Sequence, residues 1–395
     1  MAGSQTLKVW SSGPNSVADA NPGNDTLSTA YCIPLSGTYT VGGTGSNFPT
    51  IDSALTYIGG CGISGPLTLS LTSGTYTGSW NIGPYQGSSF GITVNSSTGN
   101  ASDVVVSNPG NGNTIRLTNT SNISLYNLTI SNPVLPSSGA VASACVEISN
   151  SSNITISNCI LKGDPISTSS NNRSIYINTG TNLNISGNQI MNSYYGIYFS
   201  ATSPDFNSNI QIVGNQFSNI YYYYLYMNRM NNLSVTANTF SNASGGFTPY
   251  YGFYVLASNG VVFRENQVYG TLNAYGWYFS SINGSASNPN MLVNNVFSCE
   301  FASTTPRALY LAASTTDGLD YLELHHNSFE GRFLSSSTTA NGLIYLTGGS
   351  ATAPAMSRLI MTNNIFRLVR SSGTFSATGI YYFAGSYLID STLSN

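Results

Sequence analysis

The stretch NIQIVGNQF, Asn209–Phe217, decides how this chain is built. Its apolar and polar residues alternate, so Ile210 and Ile212 point to one side and Gln211 and Val213 to the other, as on a β-strand. Asn215 interrupts the strand; beyond it Gln216 points out and Phe217 points in. The pattern recurs as NISLYNLTI, NITISNCIL and NLNISGNQI upstream, and as NLSVTANTF, GVVFRENQV, NMLVNNVF, YLELHHNSF and RLIMTNNIF downstream. The anchor asparagines are Asn127, Asn158, Asn188, Asn215, Asn238, Asn266, Asn295, Asn327 and Asn364, separated by 31, 30, 27, 23, 28, 29, 32 and 37 residues. A constant motif with a variable gap is the pattern of a solenoid whose rungs share a core and differ in their loops.

A second motif precedes each anchor. It reads SIYIN (from Ser174), GIYFS, YLYMN, GFYVL, GWYFS, ALYLA, LIYLT and GIYYF (from Gly379), with TIRLT and CVEIS in its place in earlier rungs. Each rung therefore has one strand here, one before the Asn and one after it. Equivalent residues then stack about 4.8 Å apart. Phe217, Phe240, Phe297, Phe329 and Phe366, with Val268 interrupting, form an inward ladder, and an asparagine ladder at the corner satisfies its amides along the stack.

Composition agrees with an extended β protein. Of 395 residues only 6% are charged, while 41% are hydrophobic and 12% aromatic, and the net charge is -3. Apolar residues suffice for a core, which excludes disorder, and nothing basic points to nucleic acid or an anionic membrane. The longest apolar run, Ile220 to Met227, is too short to span a bilayer. Met1-Ala2-Gly3-Ser4 resembles an expression-vector remnant, which would account for the lack of a signal peptide. Low charge and abundant Asn and Thr suit an extracellular or cell-surface protein. Cys32 and Cys61 share a Gly-rich region and are a candidate disulfide; the alternative is that all five cysteines are buried thiols.

Thr50 opens a short amphipathic helix with Ile51, Ala54, Leu55 and Ile58 on one face and Gly59-Gly60 at its end. Strands at Leu67–Leu71 and near Ile92–Val94 follow. The segments NFPTIDSALTYI and GPLTLSLTSGTYTGSWNI resemble the start of the pectate-lyase-like superfamily, and GIYFS and NIQIVGNQF resemble its coil repeats. The resemblance implies an all-β, right-handed parallel β-helix of about ten or more three-strand coils, with the helix capping the open end of the core. It covers roughly residues 37 to 387. GTYTVGGTGSNFPT further resembles β-helix modules of large surface proteins secreted by Bacteroidota. Residues 1–36 are read as a remnant and variable lead-in, 37–110 as the cap and first coils, and 111–395 as regular coils of the same solenoid. The chain stops soon after the strand Tyr387–Ile389 without an evident cap, so neighbouring domains of a longer chain or a homo-oligomer are expected there.

Enzymes on the fold it resembles use either an acidic calcium cluster with a basic residue or close carboxylate pairs. No DxD or DD pair occurs; Asp317 and Asp320 share a loop, and Glu147 stands alone among the early rungs. The one charged concentration lies before the anchor Asn: Arg264 and Glu265 in one rung, and Glu323, His325 and His326 two rungs later. If the protein is an enzyme, Glu265, Glu323 and His326 are the catalytic candidates. The blander reading, a solvated face that happens to hold rare charges, is preferred because the intervening Val293 and Asn294 add no charge. No GxGxxG, P-loop, GxSxG or HExxH motif occurs, and the HH pair is a weak metal signal. No cofactor is expected, although calcium held by backbone and Asn oxygens stays open. The sequons are as frequent as this composition predicts by chance.

The more informative feature is aromatic. The centre of the second motif is Tyr in eight successive rungs: Tyr176, Tyr198, Tyr226, Tyr254, Tyr278, Tyr310, Tyr345 and Tyr381. Its aliphatic or aromatic flanks alternate inward, so these tyrosines point outward, in a stripe roughly 34 Å long. Arg116 and Glu147 hold the position in earlier rungs. Tyr194-Tyr195, Tyr221 to Tyr224 and Tyr250-Tyr251 either widen the stripe or lie over it. The stripe is read as a face that binds a polysaccharide, a cell-surface glycan or a protein partner; the alternative is that the rings merely stack on one another. The favoured function is a noncatalytic adhesin module, ahead of a self-assembling fibre or stalk subunit and a polysaccharide lyase or glycoside hydrolase.

Overall fold

The computed structural model describes residues 5–10, 26–110, 112–133, 143–202, 206–242, 246–303, 306–313, 318–333, 341–348, 358–370, 377–382 and 391–394. From Leu35 onward the strands run parallel, each bonded to the strands one coil before and after. They make an all-β, right-handed parallel solenoid of about ten turns, with only 5% of the chain helical. Three ladders of strands run its length. The first carries the tyrosine motif (Trp80–Ile82 through Tyr251–Leu256 to Ala377–Tyr382), the second leads to the corner (Leu35–Val41 through Asn207–Val213 to Ser391–Ser394), and the third leaves it (Gly74–Thr77 through Thr239–Ser241 to Ile365–Arg370).

The helix predicted from Thr50 is α1, Ile51–Cys61. Thr50 Oγ1 accepts from the Ser53 amide at 3.2 Å while the Thr50 amide donates to Ser53 Oγ at 3.3 Å, a reciprocal cap of the first turn. Ile51, Ala54 and Ile58 are buried. The helix runs past Gly59-Gly60 and stops at Gly62, whose φ of 72° suits glycine. Cys61 is bonded to Cys32, with Cα atoms 5.5 Å apart. The pairing is thus disulfide rather than five thiols, and Cys145, Cys159 and Cys299 are buried and free. Ahead of the solenoid, Gln5–Trp10 and Thr26–Tyr31 pair antiparallel in a separate two-stranded sheet.

Register places Phe217 on Phe240, then Val268, Phe297, Phe329 and Phe366. Phe217 and Phe240 stack with centroids 4.5 Å apart, and Phe329 and Phe366 at 5.7 Å. At the corner Asn188, Asn215, Asn238, Asn266, Asn295 and Asn327 are buried. Each backbone amide and each Nδ2 donates to Oδ1 of the next asparagine, ending on Asn364. Each Nδ2 also donates to a carbonyl of the preceding rung, as Asn238 does to Ile212 at 2.8 Å. Asparagine fits because one amide both donates and accepts.

Two anchors are corrected. Asn127 and Asn158 do not belong to this ladder; Leu128 and Cys159 hold its first two places, both buried. The Cys159 amide donates to Asn188 Oδ1 and so ends the ladder. Asn127 and Asn158 lie one residue earlier, at φ 52° and 53°, in line with Gly187, Gly214, Ala237, Glu265, Asn294, His326 and Asn363, which all have positive φ. Asparagine tolerates that conformation, which is why it occurs there. A second asparagine ladder runs along the exposed bend between the first and second strand ladders. In it Asn153 donates to Asn122, Asn182 to Asn153, Asn209 to Asn182 and Asn232 to Asn209.

Asn238→Ala removes, in the interior, the acceptor of the Asn215 amide and of one Asn215 Nδ2 proton, and a donor to the Ile212 carbonyl. It is expected to lower unfolding free energy by about 2–4 kcal/mol in guanidinium denaturation. Asn158→Gly, at the exposed positive-φ position, should stay within about 0.5 kcal/mol of the parent. Equal losses in the two variants would contradict the corrected register.

Candidate functional site: a tyrosine platform

The tyrosine motif is in register throughout: Tyr176 pairs with Tyr198, then Tyr226, Tyr254, Tyr278, Tyr310, Tyr345 and Tyr381. Side chains from Tyr176 to Tyr345 face outward and are partly exposed, while neighbours such as Ile197, Leu225 and Leu309 are buried. The Tyr381 side chain lies outside the described residues. Below Tyr176 the column continues as Glu147 and Arg116, joined at 2.8 Å.

A second column lies beside the first and was not read from the sequence. Arg173, Tyr195, Tyr223, Tyr251, Tyr275 and Arg307 follow one another in register. Each lies three residues before its partner in the first column, a constant spacing that was available as a signal. Strict alternation would turn these residues inward. Instead two consecutive residues between the columns are buried, such as Gly196 and Ile197 or Gly252 and Phe253. A Cβ on Gly252 would come within 2.4 Å of the Gly276 carbonyl oxygen, so glycine permits the close packing here. Tyr194, Tyr222 and Tyr250 stack as a shorter third row, at 5.0 and 5.3 Å. The Tyr-rich segments therefore widen the stripe, except for Tyr224, which is wholly buried.

The rings lean on one another. Tyr198–Tyr226, Tyr226–Tyr254 and Tyr254–Tyr278 have centroids 4.5, 5.6 and 4.4 Å apart and interplanar angles of 10°, 8° and 7°. Rings this close and this parallel cover each other's faces, so they turn edges and hydroxyls to solvent. Tyr310 breaks the pattern, at 86° to Tyr278 and 85° to Tyr345. Arg307 lies 3.8 Å from the Tyr345 centroid and 4.9 Å from that of Tyr310. Arg173 sits at the other end, 4.5 Å over Tyr176 and 4.9 Å over Tyr198. Burial pushes the Tyr226 and Tyr310 phenols up to about 12 and raises Tyr195, Tyr223, Tyr251 and Tyr254 as well.

The charged candidates fall elsewhere. Glu265 and His326 occupy the corner position two rungs apart, with Asn294 between. Glu323 projects from the second ladder, between Met291 and Ile360. Its Oε2 lies 3.2 Å from His325 Nε2, and His325 Nδ1 lies 2.6 Å from Thr362 Oγ1. Asp317 is outside the described residues. Among the described residues no group of three or more His, Cys, Asp or Glu is disposed to hold a metal ion, and no helix is long and apolar enough to cross a membrane. A charged group the sequence did not suggest lines a cavity of about 280 Å³ on the third ladder, with Glu300, Glu330 and Arg332 beside Ser298. Each carboxylate there is held by the arginine one rung on: Glu300 by Arg332 at 3.4 Å and Glu330 by Arg367 at 2.9 Å.

Residues 90–268 and 175–354 match the family model described as right handed beta helix region. These spans cover more than half of the chain, which belongs to this family. No curated protein matches the sequence. Among solved structures the chain is similar to the GH136 lacto-N-biosidase from Eubacterium ramulus, at 11% identity over 88% of this chain and 68% of that one, TM-score 0.53. It is similar to DFA-IIIase from Arthrobacter chlorophenolicus A6, at 11% identity over 83% of each chain, TM-score 0.52. PfbA, a surface adhesin of Streptococcus pneumoniae, aligns at 14% identity over 87% of this chain and 88% of that one, TM-score 0.46. At such identities the likeness is one of fold.

The raised phenols have a pH consequence. A folded-state pKa above the unfolded value means that folding favours the neutral phenol. The associated stability is complete below pH 10 and is lost as pH rises through about 12. Phenolate absorbance and circular dichroism recorded together should show part of the tyrosines ionising well above pH 10, along with loss of structure. Full ionisation near pH 10 with the fold intact would contradict the packed platform.

Proposed function

We propose that this chain is a noncatalytic extracellular binding module, and that its tyrosine platform holds a glycan lying along the solenoid axis. One observation carries the reading: two tyrosine columns run side by side in register on a single outer face. Side chains needed only for the fold sit inside; these sit on the outer face, all but the buried Tyr223 partly exposed, and concentrate apolar area with a polar rim. The phenols repeat about every 4.8 Å, so a linear polymer of similar repeat meets equivalent groups along its length. With the central ring faces stacked on one another, contact there is through hydroxyls and ring edges. The surface adhesin and the glycan-processing proteins that share this fold are consistent with such a role, and they add no residue to it.

Replacing Tyr254, Tyr278 and Tyr310 together by Phe keeps the stacking and removes the hydroxyls. This variant is expected to melt near the parent and to bind its glycan at least about tenfold more weakly in a glycan and polysaccharide screen. The triple Ser variant should bind more weakly still and lose some stability, about 0.5–1.5 kcal/mol per stacked pair. Release of sugar products in the same wells, or unchanged binding by both variants, would overturn the reading.

A further inference from the structure

The end points of the second column suggest what the ligand carries. The column begins at Arg173 and ends at Arg307, with Tyr195, Tyr223, Tyr251 and Tyr275 between them. The two arginines are five rungs apart, roughly 24 Å along the axis. Three of the four ion pairs among the described residues join register partners on neighbouring rungs: Arg116–Glu147, Arg332–Glu300 and Arg367–Glu330. Arg173 and Arg307 take no part in any ion pair among the described residues.

Arg173 donates from Nε to the Ser170 carbonyl at 3.0 Å, and Arg307 from a terminal nitrogen to the Tyr275 hydroxyl at 3.1 Å. Arg307 Nε is buried with no hydrogen-bond partner. Both guanidinium groups lie on tyrosine rings of the first column, which fixes them in place, and neither has a carboxylate partner among the described residues. The carboxylate nearest in that column, Glu147, is held by Arg116 and Asn113. Between the arginines the stacked rings turn their edges outward, and ring edges are the positive part of the aromatic quadrupole. Phenol hydroxyls add donors along the same line. The face as a whole therefore complements acceptor oxygens and negative charge.

We propose that the platform's ligand is an acidic glycan, a linear polysaccharide bearing carboxylate or sulfate groups, with Arg173 and Arg307 as anion-binding points at its two ends. This rests on the platform reading above and specifies its substrate class. Planar bidentate contact between guanidinium and carboxylate or sulfate supplies direction, and the tyrosines between supply length.

Three soluble polymers on one backbone test it: carboxymethylcellulose, cellulose sulfate and hydroxyethylcellulose, measured by titration calorimetry at low and moderate salt. The chain is expected to bind the two charged polymers at least about tenfold more tightly than the neutral one, with binding that weakens as salt rises. The stronger of the two charged polymers identifies the preferred anion. The double variant Arg173→Gln, Arg307→Gln should lose about tenfold for the charged polymers and most of the salt dependence, whereas Arg173→Lys, Arg307→Lys should retain part of both. Thermal melts of both variants check the fold. Failure to bind either charged polymer, equal binding of charged and neutral polymers, or unchanged binding by the Gln variant overturns the inference. If the neutral polymer binds as well as the charged ones and the triple Tyr→Ser variant abolishes it, the platform reading stands without the acidic ligand. If the Tyr→Ser variant changes no binding, the platform reading falls.

Discussion

The spacing of hydrogen-bonded parallel strands, about 4.8 Å, governs everything in this molecule. Each coil lies on the last, so every outward or inward position becomes a column of residues in contact. A column is stable only if its residue tolerates a copy of itself above and below. Asparagine does, because one amide donates up and accepts from below; Asn215, Asn238 and Asn266 are held in that way. Phenylalanine and tyrosine do, through stacked rings. Lysine and glutamate do not, because like charges would meet at every rung. That accounts for a chain only 6% charged. It also accounts for where charge survives: Arg116 beside Glu147, Glu300 beside Arg332 and Glu330 beside Arg367 each alternate sign between adjacent rungs.

The same constraint made the fold legible. Columns impose repetition on the sequence, so the nine corner motifs and the tyrosine motifs align with one another and alternation assigns most of their side chains to core or solvent. Where the reading slipped, it slipped by one residue, because asparagine has two uses at one corner. In the later rungs it is the buried rung-to-rung bridge; in Asn127 and Asn158 it is the residue that accepts positive φ, one place earlier. The distance to the next inward residue separates the two. Phe217 follows Asn215 by two residues, whereas Ile130 follows Asn127 by three, and Leu128 and Cys159 fill the core place between. Helix α1 overran its glycines for a related reason: glycine ends a helix only where the chain must turn, and here the turn is at Gly62.

The candidate site was half legible. One tyrosine column followed from alternation alone. The second did not, because Tyr195, Tyr223, Tyr251 and Tyr275 point outward only through a local break in alternation, with two successive residues turned to the core. Ring orientation was beyond sequence altogether. A flat stripe of open faces and a stack that hides its faces have the same sequence; side-chain packing distinguishes them, and it favours the stack from Tyr198 to Tyr278. The Glu300 and Glu330 pair escaped notice because the two residues are 30 positions apart, and only the coil brings them to neighbouring rungs.

A binding face on a solenoid faces a conflict between regularity and recognition. The columns that stabilise the sheet are uniform, and a uniform surface recognises only a repeat. Tyrosine eases the conflict because its ring satisfies the column while its hydroxyl and edge remain available to solvent. If the platform binds as proposed, discrimination comes from the places where the column breaks: Arg173 at one end, Arg307 at the other, and the ring of Tyr310 turned nearly perpendicular to both of its neighbours. These breaks are energetically tolerable because each is covered by the column itself, with guanidinium groups resting on phenol faces that would otherwise be bare. On this view the repeat sets the direction and span of whatever lies on the platform, and its interruptions determine what that ligand must carry.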